Sequence, residues 1–419
     1  MNFFKIPSKL QELMKDYIIL DIIGSGASAN VYLATNTISN QFCAIKVIDF
    51  LNENRERFEQ EVKIMKEFDN PFIVKIYEYF QIENTIAIVM EYVPKGSLKD
   101  VIMNNGYLSE KYASTILIEL VIAIQDMNKK GLIHRDIKID NILVDNNGHI
   151  RLTDFGLSKF CNPNEALYGT ACGSPMYTSP EVILRYPYSA KTDIWSVGIV
   201  LYTMLVGNYP FASTNIQQLF QLIVDGEVEY PSFLSTEAVD LMMHLLDKNQ
   251  ETRYSCIDVL NHPFISLNNP NAHQFFIKFI DYIADLNEWN FPDSLKKASS
   301  LLNIHVDKLA EIINSKECNS KTAVFKLVRN EYITRLLKSL IGSEETNFKP
   351  NLSNVQCSCD QRQIIFKPQR KYEMPRIHIS KSGTYKSKQI VKPIIRNSVS
   401  ENFTIKKNHK SLNIRYNTC

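Results

Sequence analysis

His134-Arg135-Asp136-Ile137-Lys138-Ile139-Asp140-Asn141, followed thirteen residues after Asn141 by Asp154-Phe155-Gly156, is the stretch on which the reading of this 419-residue chain turns. It sets an ammonium, a carboxamide and carboxylates at short fixed spacings. Moving a phosphoryl group asks little covalent chemistry of a protein, which works instead by positioning and charge neutralisation. An Asp that takes the hydrogen bond of an attacking hydroxyl, a Lys beside the phosphates, and an Asn and an Asp on a divalent cation are a sufficient set. A three-letter match alone carries little weight. The two runs in this order and at this distance carry a great deal.

Together the runs resemble the catalytic and metal-binding loops of eukaryotic protein kinases, HRDxKxxN followed by DFG. On that resemblance Asp136 is the carboxylate that orients the attacking hydroxyl and Lys138 stabilises the transferring phosphoryl group. Asn141 and Asp154 would hold Mg²⁺, since hard oxygen ligands suit a hard cation. Lys138, two residues after the Asp, is the pattern of serine/threonine rather than tyrosine kinases. The departures are Ile137, Ile139 where the family has Pro, and Asp140 where it has Glu. None removes a group the chemistry needs.

Upstream elements arrive in the order the resemblance implies. Ile23-Gly24-Ser25-Gly26-Ala27-Ser28-Ala29-Asn30-Val31 lies between two strand-like runs. Its glycines let the backbone approach phosphates and offer them N–H groups, while Val31 can cap an adenine ring. Ala29 replaces the family's third glycine, and because the loop opens no helix a dinucleotide-binding reading is disfavoured. Lys46, in Ala44-Ile45-Lys46, would contact the α- and β-phosphates and pair with Glu61 on the following helix. Met65 would join Ile76, Phe155 and His134 in a hydrophobic column. Glu91-Tyr92-Val93 after Met90 reads as the hinge that binds adenine, with Ala44 above and Leu143 below the base.

Downstream, the run from Gly169 to Glu181, Gly-Thr-Ala-Cys-Gly-Ser-Pro-Met-Tyr-Thr-Ser-Pro-Glu, resembles the activation and substrate-docking loops of the calcium/calmodulin-kinase-like group. The AMP-activated and microtubule-affinity-regulating branch shares it, and the autophagy-initiating kinases share it too, so the branch stays open. Thr170 is therefore expected to be a regulatory phosphorylation site. Arg135, beside the catalytic Asp, would be an unpaired buried cation until phosphate on Thr170 supplies an anion. Glu181 should pair with Arg253, and Asp193 should brace the catalytic loop. Asp145-Asn146-Asn147-Gly148 lacks the further ligands of a calcium loop and reads as a turn between strands. Asp140 is a candidate for favouring basic residues in the substrate. Ser97 and Gln221, where basic-directed relatives carry Glu, weaken a strict Arg requirement.

The expected fold is α+β: a bilobal kinase fold with a small β-rich lobe and a large helical lobe, then a small three-helix unit and a basic tail expected to be disordered. The boundaries are an N-terminal extension over 1–16, a catalytic domain over 17–265, a linker with a helix over 266–290, the helical unit over 291–340 and the tail over 341–419. Within the third unit, Leu295 to Leu302, Val306 to Asn314 and Lys321 to Val328 are amphipathic segments. Their position resembles the ubiquitin-associated-like, autoinhibitory segment of the AMP-activated branch; a helical extension packed on the large lobe is the alternative.

Composition sets the outer bounds. The net charge of +2 conceals an asymmetry, for from Glu344 onward Lys and Arg exceed Asp and Glu by about ten. Such a tail is usually just solvated; binding of an anionic surface is the other reading. No apolar run reaches the roughly 18 residues of a membrane span, and no cationic-then-apolar leader is visible. A cytoplasmic location is expected, with nuclear entry open. The eight cysteines lack metal-ligand spacing apart from Cys357-x-Cys359, a lone pair. The implied cofactors are ATP and Mg²⁺, and the implied partners are protein substrates, an upstream activating kinase and regulatory subunits, with no nucleic acid. Two other readings are a pseudokinase scaffold, which the retained Lys46, Asp136, Asn141 and Asp154 oppose, and a calmodulin-regulated kinase, for which Asn268 to Glu288 is too acidic and polar.

Overall fold

A computed structural model describes residues 6–25, 29–49, 62, 64, 66, 68–160, 174–270, 292–315, 317–341, 402–407 and 410–415. A short helix α1 (Ser8–Leu13) precedes five strands, β1 (Tyr17–Ser25), β2 (Ala29–Asn36), β3 (Phe42–Asp49), β4 (Ile76–Ile82) and β5 (Thr85–Glu91). They form one antiparallel sheet in the order β1-β2-β3-β5-β4. The apolar run from Ile73 to Phe80 reads as a strand, but β4 covers only its later part. It begins three residues later because Ile73 instead bridges to Leu152.

Strand periodicity assigns the two faces. Cys43, Ile45 and Val47 of β3, Ala87 and Val89 of β5, and Tyr32 and Ala34 of β2 all lie in one buried cluster at the rear, with Leu10 and Met14. The alternating residues of β3, Ala44 and Lys46, therefore face the other way. Register places Lys46 opposite Val31 on one side and Ile88 on the other, and Ala44 opposite Met90.

The helical part starts with α2 (Leu98–Asn105) and α3 (Glu110–Lys129). Ser97 and Asp100 form a reciprocal cap on α2, and the Ser109 hydroxyl caps α3, each satisfying backbone N–H groups that a helix start leaves unpaired. Short strands β6 (Leu132–Ile133), β7 (Ile142–Val144), β8 (Ile150–Leu152) and β9 (Lys159–Phe160) pair as β6 with β9 and β7 with β8. The turn expected at Asp145 to Gly148 is present, closed by the Gly148 N–H on the Asp145 carbonyl at 3.2 Å. Then come α4 (Pro180–Ile183), α5 (Lys191–Val206), α6 (Ile216–Asp225), α7 (Thr236–Leu245), α8 (Cys256–Leu260) and α9 (Pro263–Asn268). Helix α5 is predominantly apolar and buried almost throughout, as a helix crossing a lobe's centre must be.

Three further helices follow, α10 (Pro292–Leu302), α11 (Val306–Asn314) and α12 (Ser320–Ile341). Ala298, Leu309, Ile313, Val324, Phe325 and Val328 form their common core. Helix α12 runs well past the expected end at Val328. Its other face, through Ala323 and Leu327, joins the rear core of the small lobe, and Arg329 bonds to Asp69 while the Asn330 amide donates to the Tyr77 hydroxyl at 3.1 Å. Among the described residues the unit thus packs on the small lobe. The chain divides into two compact units, 1–350 and 351–419. In the second, a hairpin of β10 (Asn402–Lys407) and β11 (Lys410–Arg415) is described, an element that composition did not point to. The helix expected within the 266–290 linker, read over Phe275 to Leu286, lies with the Cys357/Cys359 pair outside the described residues.

Candidate active site

Asp136 stands on the loop between β6 and β7, whose course is fixed from beneath. The buried carboxylate of Asp193, in the first turn of α5, accepts the N–H groups of His134 at 2.8 Å and Arg135 at 2.9 Å. That is the bracing expected of it. Arg135 lies at φ 66° and Asp154 at φ 67°, a region costly for residues with a Cβ. Such conformations persist only where the surroundings impose them, and they cluster at functional sites. His134 is fully buried, and burial lowers its pKa, so the neutral ring can accept the Asp136 N–H at 3.3 Å through Nδ1.

Around Asp136 the expected residues converge. Its Oδ2 accepts from Lys138 Nζ at 2.6 Å and from the Asn141 amide at 2.9 Å, and the same amide nitrogen donates to the Asp136 carbonyl at 2.9 Å. Burial pushes the Asp136 carboxyl above the ordinary carboxylate range; the Lys138 ammonium pulls against this and the Asp154 charge adds to it. Asp154 is thus close enough to be felt electrostatically. The Asn141 carbonyl accepts the Thr153 N–H at 2.9 Å, locking the loop to the strand that leads into Asp154. Because the Asn141 nitrogen is committed to Asp136, its amide oxygen is the group left to meet a cation. An amide oxygen and one carboxylate are a donor set that fits Mg²⁺, which takes few protein ligands and completes its shell from waters and phosphates.

The upper wall is the front face of the sheet. Ile23, Gly24 and Ser25 end β1, and Ala29, Asn30 and Val31 open β2; the Ser25 hydroxyl donates to the Asn30 side-chain oxygen at 2.8 Å. Gly26, Ala27 and Ser28, together with Glu61, Met65 and Thr170, lie outside the described residues. Of the hydrophobic column, Phe155 and His134 are in contact, ring centroids 4.9 Å apart, and Phe68 stacks on Phe155 at 6.2 Å. At the hinge, the Glu91 N–H donates to the Lys75 carbonyl at 2.9 Å. Val93 is buried, and its N–H has no main-chain partner among the described residues. A buried hinge N–H of this kind suits the ring nitrogen of an adenine. Leu143 bridges to Ser97 just past the hinge, which puts it beneath the same cleft.

Several contacts were not visible in the sequence. Arg135 is half-buried, not an isolated buried cation: its Nε donates to the Leu157 carbonyl at 2.6 Å and its Nη1 to the Tyr188 hydroxyl at 3.1 Å. Both acceptors are neutral, and no ion pair to Arg135 occurs among the described residues. Tyr177 accepts the Ile139 N–H at 3.3 Å, so the segment before α4 is tied to the catalytic loop. Asp140 pairs with Lys99 at 2.7 Å. Glu91 takes Arg151 Nε at 2.8 Å behind the hinge.

Known proteins agree with this geometry. The protein kinase domain family matches residues 17–265. CBL-interacting protein kinase 5 of Oryza sativa subsp. japonica is 35% identical over 281 residues, 64% of this chain and 61% of that one. Probable serine/threonine-protein kinase MARK-A of Dictyostelium discoideum is 35% identical over 261 residues, 61% of this chain and 24% of that one. Calcium/calmodulin-dependent protein kinase type 1 of Caenorhabditis briggsae is 31% identical over 317 residues, 73% of this chain and 88% of that one. The chain therefore spans less than two thirds of the first two and most of the third. With the family matched over more than half of its residues, and a two-lobed fold around Asp136 and Asp154, the chain belongs to the protein kinase family.

Proposed function

We propose that the chain is a Mg·ATP-dependent protein kinase acting on serine and threonine hydroxyls of protein substrates. The observation that carries this reading is the convergence on Asp136 Oδ2 of Lys138 and Asn141, with Asp154 within electrostatic reach. Asp136 would orient the acceptor hydroxyl through the hydrogen bond its carboxylate accepts, and Lys138 would neutralise charge on the transferring group. Asn141 and Asp154 would hold Mg²⁺, Lys46 would meet the phosphates, and Glu91, Val93, Ala44 and Leu143 would hold the base. When bound, Mg·ATP supplies the phosphoryl group and the positive charge that screens it. The test is phosphorylation of a protein substrate by wild type and by Asp154→Ala and Asp136→Asn. Equal incorporation by all three sinks the reading.

Arg135 supports control by phosphate on Thr170. Its guanidinium is half-buried and hydrogen-bonded to neutral groups, so an arriving phosphate dianion would be the first anion to bond it among the described residues. Thr170→Ala should lower the specific activity of phosphorylated enzyme; unchanged activity would remove the switch. An upstream kinase and regulatory subunits follow as partners. The relatives' names speak of CBL and of calcium/calmodulin, and the acidic stretch Asn268 to Glu288 argues against the second here. No helix among the described residues is long and apolar enough to cross a membrane, and a cytoplasmic place with access to the nucleus fits the reading.

The helical unit of 291–340 is proposed to position the small lobe. Support comes from Ala323 and Leu327 in the rear core and from the Arg329 to Asp69 and Asn330 to Tyr77 bonds. Truncation at Asn290 should change specific activity or melting temperature; no change in either would rule the role out.

A further inference from the structure

A peptide that brings a hydroxyl to Asp136 must lie across the neighbouring surface of the catalytic loop. Asp140 is four residues along that loop, and four residues of chain reach at most about 14 Å. An extended peptide covers that distance in about four residues. Asp140 is therefore reachable by side chains close to the acceptor, and an open carboxylate there would attract Arg or Lys.

The carboxylate is not open. Lys99 Nζ lies 2.7 Å from Asp140 Oδ1, and the two side chains are 34% and 40% exposed, so the pair is accessible from solvent yet partly shielded. Lys99 is held there by its backbone as well, its N–H donating to the Ile139 carbonyl at 3.1 Å. Tyr177 and Tyr209 flank the pair, their hydroxyls 3.4 Å apart, and the charges of both Asp140 and Lys99 act on the Tyr209 hydroxyl. Burial lowers the Lys99 pKa, but the hydrogen bond and charge of Asp140 outweigh it, leaving the ammonium firmly protonated at neutral pH. The nearest other carboxylate on α2, Asp100, already accepts from the Ser97 N–H at 2.9 Å and hydroxyl at 2.6 Å.

We propose that Lys99 is a specificity-determining residue of the substrate groove, occupying Asp140 and so selecting an acidic side chain, and rejecting Arg or Lys, within about four residues of the acceptor. The proposal rests on the kinase reading above. An incoming guanidinium would have to replace one ion pair with another and then sit beside the displaced ammonium. An incoming carboxylate meets an ammonium whose three N–H donors are only partly used by Asp140. The same residues that would make a basic-directed groove in the presence of Asp140 alone make the opposite one with Lys99 in place.

The experiment is a positional-scanning peptide library phosphorylated by the full chain, with the Asp/Arg rate ratio taken at each position within four of the acceptor. Ratios within one protein cancel any general loss of activity. Wild type is expected to favour Asp by about two- to fivefold at one or more positions, the range of a partly exposed ion pair. Lys99→Met should reverse that preference toward Arg, and Asp140→Asn should strengthen it. Lys99→Gln, which keeps a hydrogen bond to Asp140 and removes only the charge, is the second variant and carries the same expectation as Lys99→Met. A wild-type preference for Arg, or ratios unchanged in both Lys99 variants, overturns the proposal. If wild type phosphorylates no peptide and no protein above the Asp154→Ala background, it is the kinase reading that fails, and this inference with it.

Discussion

Arg253 and Glu181 meet through two parallel buried hydrogen bonds, Nη1 to Oε1 at 2.8 Å and Nη2 to Oε2 at 2.9 Å. The guanidinium also donates to the carbonyls of Asp247 at 2.9 Å and Lys191 at 2.8 Å, so nearly every donor is satisfied. A pair like this contributes less by existing than it costs when halved. Arg253→Met, which strands a buried carboxylate, is expected to lose about 3–5 kcal/mol of unfolding free energy in urea. Arg253→Met with Glu181→Leu should lose clearly less, because no charge is left uncompensated. A double variant as unstable as the sum of the singles would show that the pair's worth lies elsewhere.

Asp193 offers both carboxylate oxygens to consecutive N–H groups of the catalytic loop. In Asp193→Asn one of those oxygens becomes an NH₂ that points a donor at a donor. The loop then loses one of its two anchors, and Asp136 shifts with it. A displacement of about 1 Å at a reacting group costs on the order of a hundredfold, so the phosphorylation rate should fall by about that factor while circular dichroism stays native. A tenfold or smaller loss would mean that the strained Arg135 backbone is held by other contacts.

Much of this was legible because its information is local. Successive side chains of a strand point to opposite faces, so the side on which Lys46 falls follows from its place two residues after Ala44 in β3. The catalytic loop is likewise one short segment, so Asp136, Lys138 and Asn141 lie close together along the chain, even though Asp193 braces the loop from a distance. Contacts that the sequence did not disclose join residues far apart: Lys99 with Asp140 across two elements, and Arg329 with Asp69 across most of the chain. Helix α12 was cut short for a related reason. Arg329 and Asn330 are polar yet buried, so the amphipathic pattern breaks where the helix turns from its own unit's core to the small lobe. The six residues of α1 are too few to show a period, although Leu10 is fully buried.

His149 and Glu119 form a buried pair at 2.7 Å, with Asp145 and Arg151 also facing the ring. Burial lowers the His149 pKa, but the Glu119 charge and hydrogen bond outweigh it, and the net shift from 6.5 is upward. A raised folded pKa means that the protonated ring stabilises the fold fully below about 6.5 and that this contribution fades as pH rises through the folded value. The stability difference between wild type and His149→Gln should therefore narrow from pH 6 toward alkaline pH in chemical denaturation. A gap that widened with pH would reverse the sign and show that the ring is buried neutral.

Gly106 and Gly207 both end helices at positive φ, 82° and 80°, Gly207 in the left-handed helical region at ψ −2° and Gly106 outside it at ψ −55°. Their surroundings differ: a Cβ on Gly106 would meet nothing within 4 Å, whereas one on Gly207 would stand 2.2 Å from the Gly106 carbonyl oxygen. Gly106→Ala should then cost only the backbone term, about 1–3 kcal/mol. Gly207→Ala must also push the two chain segments apart and should cost more than twice that. Equal melting temperatures for the two variants would contradict the close approach.

Leu10 of α1 and Leu327 of α12 lie in one core at the back of the small lobe, although they come from near the chain's beginning and from the third helical unit. Neither helix touches solvent through these side chains, at 0% and 3% exposure. Truncating either to Ala should cost about 2–5 kcal/mol, the range for a buried leucine. Because both substitutions open space in the same cluster, they should not be additive: once one cavity has loosened the packing, the second leucine has less to lose. A double-mutant cycle by urea denaturation is expected to show a coupling above about 0.5 kcal/mol. Strict additivity would mean that α1 and α12 cover the sheet independently, and that holding the small lobe does not depend on their acting together.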